Sequence, residues 1–308
     1  MNSSFSQKLP GFQLAWDSTS LGELKRCPRA YQLSLVEGWQ SRAENVHLAF
    51  GILVHAGREL YYRRRALGES HDDAVLAVVN YLLETTWDHA LSRPSFVGSE
   101  QKNRFTLLRT MVWYLDHWEH DPLTTLLDAQ GRPMVELSFR FRLGEAQGEE
   151  VLLCGHLDRV GEIGGQVWVN DLKTTKSSLD EGSSGYFFSG FSPDNQVSLY
   201  TFASQIVLAR PAVGVMLDGA QVAQSFSRFA RSPIVRTKSQ LAEWLQGLQV
   251  MLGQAESYAL RAFWPMNEKA CYNCQFRHVC ALPPAARAAA LERDYVKRVW
   301  NPLVSRGE

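Results

Sequence analysis

The spacing of apolar residues changes in the middle of the chain, and this change limits the folds it can adopt. Over roughly the first 125 residues, apolar positions recur at intervals of three and four, as in amphipathic helices. From Met134 the interval becomes two, which is typical of half-buried strands. A long helical pattern returns at 239–261. Strands in the middle and helices on both sides predict a mixed α/β domain with a helical N-terminal layer.

The periodicity also predicts the individual elements. Helices are expected at 21–36, 50–67, 72–90, 100–120, 196–209, 239–261 and 283–291. Strands are expected at 135–141, 151–160, 166–172, 213–217 and 224–230, the first three as an antiparallel meander with glycine-rich turns. We interpret residues 1–308 as one domain, with a helical part (1–130), a sheet core (131–232) and a C-terminal part (233–308).

The charge balance and hydropathy exclude some partners. Lysine plus arginine equals aspartate plus glutamate, at 32 each, so a polyanion must be held by a local patch rather than by the overall charge. No run of 18 apolar residues occurs, and residues 1–10 lack the apolar core of a signal peptide. We therefore expect a cytoplasmic protein with no membrane partner.

Two acids and a lysine lie on neighbouring predicted strands. Asp158 belongs to the strand at 151–160, and Asp171 ends the next strand, so a tight turn would bring the two carboxylates side by side. Such a pair suits a hard divalent cation such as Mg²⁺. Lys173 shares a strand face with Asp171 and could orient or activate a water for phosphodiester hydrolysis. The alternative interpretation is a solvated strand end.

Further candidate residues surround this pair. Glu136, on the preceding strand, could reach the site as a third acid. His55 lies within a predicted helix among apolar residues, where a buried structural histidine is the alternative. Gln196 and Tyr200 are four residues apart and share one helix face; a polar helix start and a core tyrosine would look the same.

The order of these pieces resembles a known motif set. The pieces are Gly51-x-x-x-His55, Gly155-His-Leu-Asp158, Asp171-Leu-Lys173 and Gln196-x-x-x-Tyr200. In this order they resemble the RecB-like branch of the PD-(D/E)XK nuclease superfamily. The resemblance implies a restriction-endonuclease-like fold, a mixed sheet flanked by helices. Leu157 stands where the superfamily pattern has proline, as is usual in this branch.

The resemblance also implies roles for the residues. His55, Asp158 and Asp171 would bind Mg²⁺ or Mn²⁺, with the backbone carbonyl of Leu172 as a further ligand. Glu136 matches no motif of the set, and its role as an outer metal-binding acid is predicted from its position on the preceding strand alone. The catalytic set is completed by Lys173 as the catalytic lysine, and by Gln196 and Tyr200, which would hold the DNA strand or the lysine.

The cysteines indicate a second metal site. Five cysteines are an odd number and do not suggest a disulfide framework. Cys271, Cys274 and Cys280 place three thiols within ten residues, and Cys27 is the candidate for a fourth ligand. Cys154 lies in a predicted core strand and is interpreted as a small buried side chain. The spacing alone leaves zinc and a [4Fe-4S] cluster open.

A second resemblance favours iron. Cys27-Pro-x-x-Tyr31 together with the C-terminal cysteines resembles the iron-sulfur branch of the same superfamily, which includes AddB-type nuclease domains and CRISPR-associated RecB-like exonucleases. The resemblance implies a structural [4Fe-4S] cluster, held by four cysteines, that joins the N- and C-terminal segments. Zinc remains the alternative.

Two groups of residues are candidates for DNA contacts. Arg58, Arg63 and Arg64 follow His55 on one predicted helix and could form a phosphate track, or simply a solvated helix end. Tyr186 and Phe187 lie in a loop rich in serine, glycine and phenylalanine, where they could stack on unpaired bases or pack beneath the loop.

The interpretation is therefore a metal-dependent DNA exonuclease that acts on single-stranded or frayed ends and carries a structural [4Fe-4S] cluster. The rival is a non-catalytic DNA-binding or scaffolding subunit of a nuclease–helicase or CRISPR adaptation complex. No Walker-type phosphate loop occurs, so a helicase or a CRISPR adaptation partner is expected where long duplexes are processed. The pathway stays open among recombination, repair, CRISPR adaptation and phage DNA processing.

Overall fold

The computed structural model describes residues 4–42, 45–96 and 98–304. Its α-helices are α1 Ser18–Arg26, α2 Pro28–Tyr31, α3 Val46–Ala66, α4 His71–Thr85, α5 Arg104–His117, α6 Ser184–Ser189, α7 Asn195–Val207, α8 Lys238–Leu260, α9 Arg277–Ala281 and α10 Pro284–Asp294. Its strands are β1 Ala15–Trp16, β2 Trp39–Ser41, β3 Trp87–Asp88, β4 Arg93–Pro94, β5 Thr124–Thr125, β6 Val135–Ala146, β7 Glu149–Ile163, β8 Gln166–Thr175, β9 Val215–Val222, β10 Ser227–Ile234 and β11 Tyr295–Lys297.

A mixed sheet forms the centre of the molecule. Its strand order is β1-β7-β8-β9-β10, and both β5 and β6 also pair with β7. Strands β6, β7 and β8 are antiparallel neighbours, which confirms the predicted meander. The pairs β1–β7 and β8–β9 are parallel, and the connection from β8 to β9 contains α6 and α7. A parallel pair needs such a long crossover, so the sheet is mixed rather than a simple meander.

Helices cover both faces of the sheet, and each face has its own hydrophobic core. One core packs α1, α7 and α8 against the strands, with Leu21, Leu199 and Leu248 among its buried residues. The other packs α3, α4 and α5, with Val54, Val78 and Leu107. The helical N-terminal part is thus the layer of one face, except for α1 and α2.

The helix predicted at 21–36 is interrupted, which corrects the sequence-based expectation. Cys27 adopts an extended conformation, with φ −164° and ψ 112°, between α1 and α2. Proline at 28 disfavours helical geometry in the residue before it, and this accounts for the break. After α2 the chain continues as a π-helix, Gln32–Val36.

The N- and C-terminal segments pack together. Strand β2 pairs with β11, and Cys27 lies in a small apolar cluster with Phe276, Val279 and Tyr295. This contact joins segments from opposite ends of the described chain. Among the residues that the structure describes, no helix has the length and apolar character needed to cross a membrane.

A group of buried charges lies between α5 and the sheet. Asp218 is fully buried; its carboxylate pairs with Arg231 at 2.5 Å and accepts a hydrogen bond of 2.7 Å from the Tyr114 hydroxyl. Arg231 also pairs with Asp121 at 2.6 Å, and Asp121 pairs with Arg159 at 2.8 Å. Because each buried charge has an opposite partner, removal of one member leaves another uncompensated.

We therefore expect Asp218→Ala to lower the free energy of unfolding by about 3–5 kcal/mol, the usual cost of breaking a buried ion pair. The variant would leave Arg231 with one carboxylate and the Tyr114 hydroxyl without an acceptor. Urea unfolding followed by circular dichroism measures the change. Asp294→Ala, which removes a surface pair with Arg293, is the control and should change the midpoint little. Equal losses in the two variants would contradict the prediction.

Candidate metal centre

Strands β7 and β8 separate from each other at Asp158 and Asp171. Strands β7 and β8 pair from Ile163 and Gln166 up to Arg159 and Asn170. Beyond that pair, β7 continues against β6 and β1, whereas β8 continues against β9. Asp158 and Asp171 are the first residues past the last pair, one on each of the separating strands. We refer to this point of separation as the fork. Both are buried rather than solvated, which excludes the interpretation of an exposed strand end.

A continuous chain of polar contacts links the acids to helix α7. Lys173 Nζ lies 2.7 Å from Asp171 Oδ2 and donates to Gln196 Oε1 at 2.7 Å. Gln196 Nε2 donates to the Tyr200 hydroxyl at 2.8 Å, and this hydroxyl donates to Asp158 Oδ1 at 3.2 Å. The structure therefore brings together all five residues that the sequence assigned to catalysis. Asp194 caps the start of α7 and fixes the helix that carries two of them.

His55 and Glu136 reach Asp158 from other elements. His55 Nδ1, on α3, lies 3.0 Å from Asp158 Oδ2. Glu136, on β6, occupies the register position opposite Asp158, between the pairs that flank it, and has a positive φ of 51°. Ligand atoms of these three residues all lie within 4.8 Å of one another. In the described part of the chain they are the group of acids, histidines and cysteines best placed to hold a metal ion.

The charges at the fork shift the pKa values in opposite directions. Burial and the neighbouring Asp158 carboxylate raise the pKa of Asp171 to about 6, although Lys173 opposes the shift. Burial would also raise the pKa of Asp158, but His55 outweighs it and the pKa is lowered. For His55, burial lowers the pKa while Asp158 raises it, and the net shift is upward. Two buried carboxylates at one point thus resist joint ionisation in the absence of a cation.

The residues present fit a divalent metal ion. Asp171 Oδ1 is buried and has no hydrogen-bond partner within the described chain, and Asp158 Oδ2, which is also buried, faces the His55 imidazole at 3.0 Å. A buried carboxylate oxygen normally has a partner, so an unpartnered one beside a second acid and a histidine indicates a place for a cation. The Leu172 carbonyl lies on the part of β8 that has left β7, where that strand edge is no longer paired. Its role as a ligand stays a prediction.

Arg58 does not belong to a DNA-contacting surface, and the prediction for it is wrong. Its side chain is 98% buried and points inward to Asn170, the Tyr114 hydroxyl and Asp158. The distance from Arg58 Nη1 to Asp158 Oδ2 is 3.8 Å. The arginine connects the candidate metal ligand to the buried charges around Asp218 through the Tyr114 hydroxyl.

The other predicted DNA contacts have mixed outcomes. Arg63 pairs with Glu59 and Arg64 with Glu69, and both arginines remain partly exposed, so their contact with phosphate stays a prediction. Tyr186 is exposed and also stays a prediction.

Tyr186 and Phe187 lie on the short helix α6 rather than in a loop, which corrects the prediction for this segment, and Phe187 packs inward. Its ring contacts those of Phe188 and Phe191, and it closes over Gly219, where an added Cβ would lie 3.0 Å from the ring. These contacts support the packing alternative, and because the side chain remains partly exposed, stacking on a base stays a prediction.

The cysteines are free thiols, and the structure does not assemble them into a compact metal-binding group. Their segments do meet: Cys274 and Cys280 pack against the apolar cluster that contains Cys27. Burial and the neighbouring Cys274 raise the pKa of Cys280. Cys154 is buried in β7, as predicted.

Sequence reasoning missed two groups. The first is the set of buried charges at Asp121, Asp218 and Arg231; an aspartate inside the apolar run of β9 was the available signal. The second is Lys102, a buried lysine near the carboxyl end of β8, which no sequence pattern distinguished.

Comparison with known proteins agrees with this geometry. A family model of the PD-(D/E)XK nuclease superfamily matches residues 16–281, and the chain belongs to that superfamily. A solved structure from Eubacterium rectale, described as a "putative exonuclease", has a TM-score of 0.51 at 12% identity and covers 88% of this chain and 89% of its own. The structure of SSO0001 covers 87% of both chains with a TM-score of 0.36 at 10% identity, too low to support an argument. No curated protein matches the chain.

These findings define the class of protein. The chain is a PD-(D/E)XK nuclease by family, and its mixed sheet with flanking helices is consistent with a restriction-endonuclease-like core. Nucleases of this superfamily use divalent metal ions and act on DNA, and the group of His55, Glu136 and Asp158 could bind one such ion.

We expect a divalent cation to raise the melting temperature of the metal-free protein, and to do so more at pH 8 than at pH 5. Metal ligands must be deprotonated, and the pKa of Asp171 is about 6. At pH 5 the cation must therefore displace a proton that is already absent at pH 8. Thermal scans with Mg²⁺ at several concentrations measure the shift.

The matched variants are Asp171→Asn and Asp72→Asn, the latter an exposed acid in the first turn of α4. Asp171→Asn should lose most of the shift, and the dependence on pH that remains should come from His55, whose pKa is raised, whereas Asp72→Asn should behave as the unaltered protein does. A shift that is the same at both pH values would count against Asp171 as a metal ligand.

Proposed function

We propose that the protein is a metal-dependent deoxyribonuclease that hydrolyses phosphodiester bonds at single-stranded or frayed DNA ends, with Mg²⁺ or Mn²⁺ as its cofactor. The observation that carries the proposal is the chain of polar contacts from Asp171 through Lys173, Gln196 and Tyr200 to Asp158. Membership of the nuclease superfamily supports the reaction class. The preference for a free end is proposed from the description of the Eubacterium rectale protein as a "putative exonuclease".

The proposed metal ligands are His55, Asp158 and Asp171, with Glu136 and the Leu172 carbonyl completing the shell. The unpartnered Asp171 Oδ1 supports this set, as does the close approach of His55 and Glu136 to Asp158. When bound, the ion would withdraw negative charge from the scissile phosphate and ease ionisation of the attacking water.

Lys173 would act as a donor rather than as a base. Burial lowers its pKa, but Asp171 and Asp158 outweigh burial and the pKa is raised, so the ammonium stays protonated at neutral pH. Two of its three N–H groups have partners, Asp171 Oδ2 and Gln196 Oε1. The third can donate to the attacking water or to a phosphate oxygen, and it is held in place by the other two.

Gln196 and Tyr200 would keep this geometry. Gln196 accepts from the lysine and donates to the tyrosine, so its amide is fixed at both ends. The tyrosine hydroxyl in turn donates to Asp158 Oδ1, which leaves Oδ2 free to face His55. We therefore assign the two residues to positioning of the lysine and the acid.

The decisive experiment is cleavage of end-labelled single-stranded and duplex DNA with Mg²⁺ or Mn²⁺. Lys173→Ala and Asp171→Ala should each lower kcat by about 100-fold or more, since each removes a positioned charge at the reacting phosphate. Lys238→Ala, at an exposed lysine that starts α8, is the control for the lysine variant.

Three results are informative. Metal-dependent shortening of labelled strands that is lost in both variants supports an exonuclease. Internal nicks would support a nuclease but contradict the proposed preference for free ends. Tight DNA binding without cleavage under either metal would favour a non-catalytic DNA-binding or scaffolding subunit, the rival function.

We also propose a structural [4Fe-4S] cluster bound by Cys27, Cys271, Cys274 and Cys280, with zinc as the alternative. The supporting observations are the four free thiols and the packing of Cys274 and Cys280 against the cluster of Cys27. Asn267 donates its backbone N–H to Cys27 Sγ at 3.4 Å, so the segment before Cys271 already meets the N-terminal thiol.

Cys280→Ser should lower both the iron content and the melting temperature of anaerobically purified protein, because the cluster would close a very long loop. Cys154→Ser, at a buried thiol in β7, should leave the iron content unchanged. Metal analysis and visible absorbance measure the difference. A colourless protein that contains zinc would show that the site binds zinc rather than an iron-sulfur cluster. A protein with neither metal would contradict the proposal of a metal site at these cysteines.

Long duplexes would need a partner under this proposal. The sequence carries no phosphate-binding loop of an ATP-driven motor. We propose that unpaired ends are supplied by a separate helicase or by a CRISPR adaptation complex.

A further inference from the structure

Helix α5 leaves two large aromatic side chains in solvent on one face. Phe105 is 71% exposed and Trp113 is 43% exposed, while Leu107, Met111 and Leu115 on the other side of the helix are fully buried. Phe105, Arg109 and Trp113 are spaced by four residues and therefore share a face. We refer to these three residues as the α5 stripe.

Arg109 lies between the two rings of the stripe and is itself fixed by hydrogen bonds. Its guanidinium carbon lies 6.0 Å from the Phe105 ring centroid and 5.3 Å from that of Trp113. The same group donates to the carbonyls of Ala223, Gln224 and Phe226 at 2.5, 2.7 and 3.0 Å. These bonds fasten α5 to the turn between β9 and β10. The fixed guanidinium lies against both exposed rings, and a cation beside exposed aromatic rings is typical of surfaces on which unpaired bases stack.

The parallel pairing of β8 and β9 places this turn near the candidate metal centre. Lys173 pairs with Gly219 and Thr175 with Gln221, so the carboxyl ends of both strands lie at one edge of the sheet. The turn at 223–226 follows β9 at that edge. The α5 stripe, which is fastened to it, is therefore on the same side of the molecule as the Asp-x-Lys residues.

Lys102 lies between the stripe and the catalytic strand. It precedes Phe105 by three residues, is only 8% exposed, and its Nζ donates to Thr174 Oγ1 at 3.3 Å. Thr174 follows Lys173 directly. The ammonium also lies 5.2 Å from the centroid of the Phe50 ring. Burial lowers the pKa of Lys102, and no carboxylate of the described chain counters that effect.

The local backbone is built to hold this lysine. Gly98 has φ +73°, and a Cβ at that position would lie 2.1 Å from the Lys102 carbonyl oxygen. Ser99 donates its N–H to this carbonyl at 2.7 Å, and the Lys102 N–H donates to the serine hydroxyl at 3.1 Å. A buried ammonium without an anion is unfavourable. The turn at 98–102 holds such an ammonium beside the catalytic strand, and this indicates a site for an anionic ligand.

We propose that Lys102 and the α5 stripe bind a single-stranded segment of nucleic acid beside the metal centre. The ammonium takes a backbone phosphate, and the Phe105 and Trp113 rings stack on unpaired bases. The two ring positions are separated by about 12 Å along the helix, at 1.5 Å per residue, which accommodates more than one base. Bases within a duplex are already stacked and paired, so this surface selects unpaired strands. The inference rests on the proposed nuclease function and specifies its substrate.

The test measures DNA binding and cleavage separately. Binding of a labelled single-stranded oligonucleotide is measured in EDTA at several salt concentrations, and cleavage is measured with Mg²⁺. The double variant Phe105→Ala with Trp113→Ala should weaken single-strand binding at least tenfold and raise KM with little change in kcat. Phe263→Ala is the control, because it is an exposed phenylalanine under an arginine, Arg29, outside the stripe.

Lys102→Met tests the phosphate contact. The slope of log affinity against log salt should fall in magnitude by about 0.7, the value for one phosphate contact on a single strand. The free variant should melt no lower than the unaltered protein, because it removes an uncompensated buried charge. Lys238→Met, at an exposed lysine, is the control. A Lys102→Met protein that melts lower and keeps its salt slope would show a structural lysine and overturn this step.

The outcomes separate this inference from the proposed function. If the unaltered protein binds and cleaves DNA and the double variant does so equally well, the stripe inference fails and the nuclease stands. If the double variant keeps its affinity but no longer self-associates in sedimentation, the stripe is a contact between copies of this chain, and the inference also fails. If the unaltered protein neither binds nor cleaves DNA, the nuclease proposal fails and the inference with it.

Discussion

The functional centre depends on the separation of two strands. Past Arg159 and Asn170 the β7–β8 ladder ends, and the carboxylates of Asp158 and Asp171 occupy the gap that the departing strands leave. A continuous ladder would direct these side chains to the faces of the sheet and cover them. The fork instead keeps two acids buried at one point, an arrangement that is unfavourable until positive charge is supplied.

The protein supplies that charge from both helical layers. His55 comes from α3 on one face, and Lys173 is held by Gln196 of α7 on the other. One carboxylate, Asp158, contacts both layers, since Oδ2 faces His55 and Oδ1 accepts from Tyr200. The two hydrophobic cores beneath these helices are large. The apolar surface buried in them stabilises the fold, and this offsets the cost of the buried polar residues around Asp158 and Asp171.

The periodicity of apolar residues and the order of the motifs predicted much of this arrangement. The alternation in β6, β7 and β8 and the helical spacing in α3 and α8 follow from local sequence, and the structure confirms them. The ordered motifs predicted the grouping of Asp158, Asp171 and Lys173. The parallel pairing of β8 with β9 was not predicted, because periodicity describes each strand alone and not its neighbour.

Arg58 shows the limit of such reasoning. An arginine three residues after a helical histidine looks like a solvent-facing residue, and its buried partners Tyr114 and Asn170 are distant in sequence. The break at Cys27 could have been predicted, because proline at 28 disfavours helical geometry in the preceding residue. The regular apolar spacing across 21–36 favoured a continuous helix instead. The four-cysteine cluster stays a prediction.

The pairing of distant segments has a consequence for how the chain folds during synthesis. Strand β1 contacts β7 more than a hundred residues later, and β2 contacts β11 near the opposite end of the described chain. Strand β1 is therefore synthesised more than a hundred residues before its partner, and apolar side chains such as Trp16 stay unburied until β7 has been made. Pairing between such distant segments favours slow folding, and the nascent segment around β1 needs protection from aggregation during that interval.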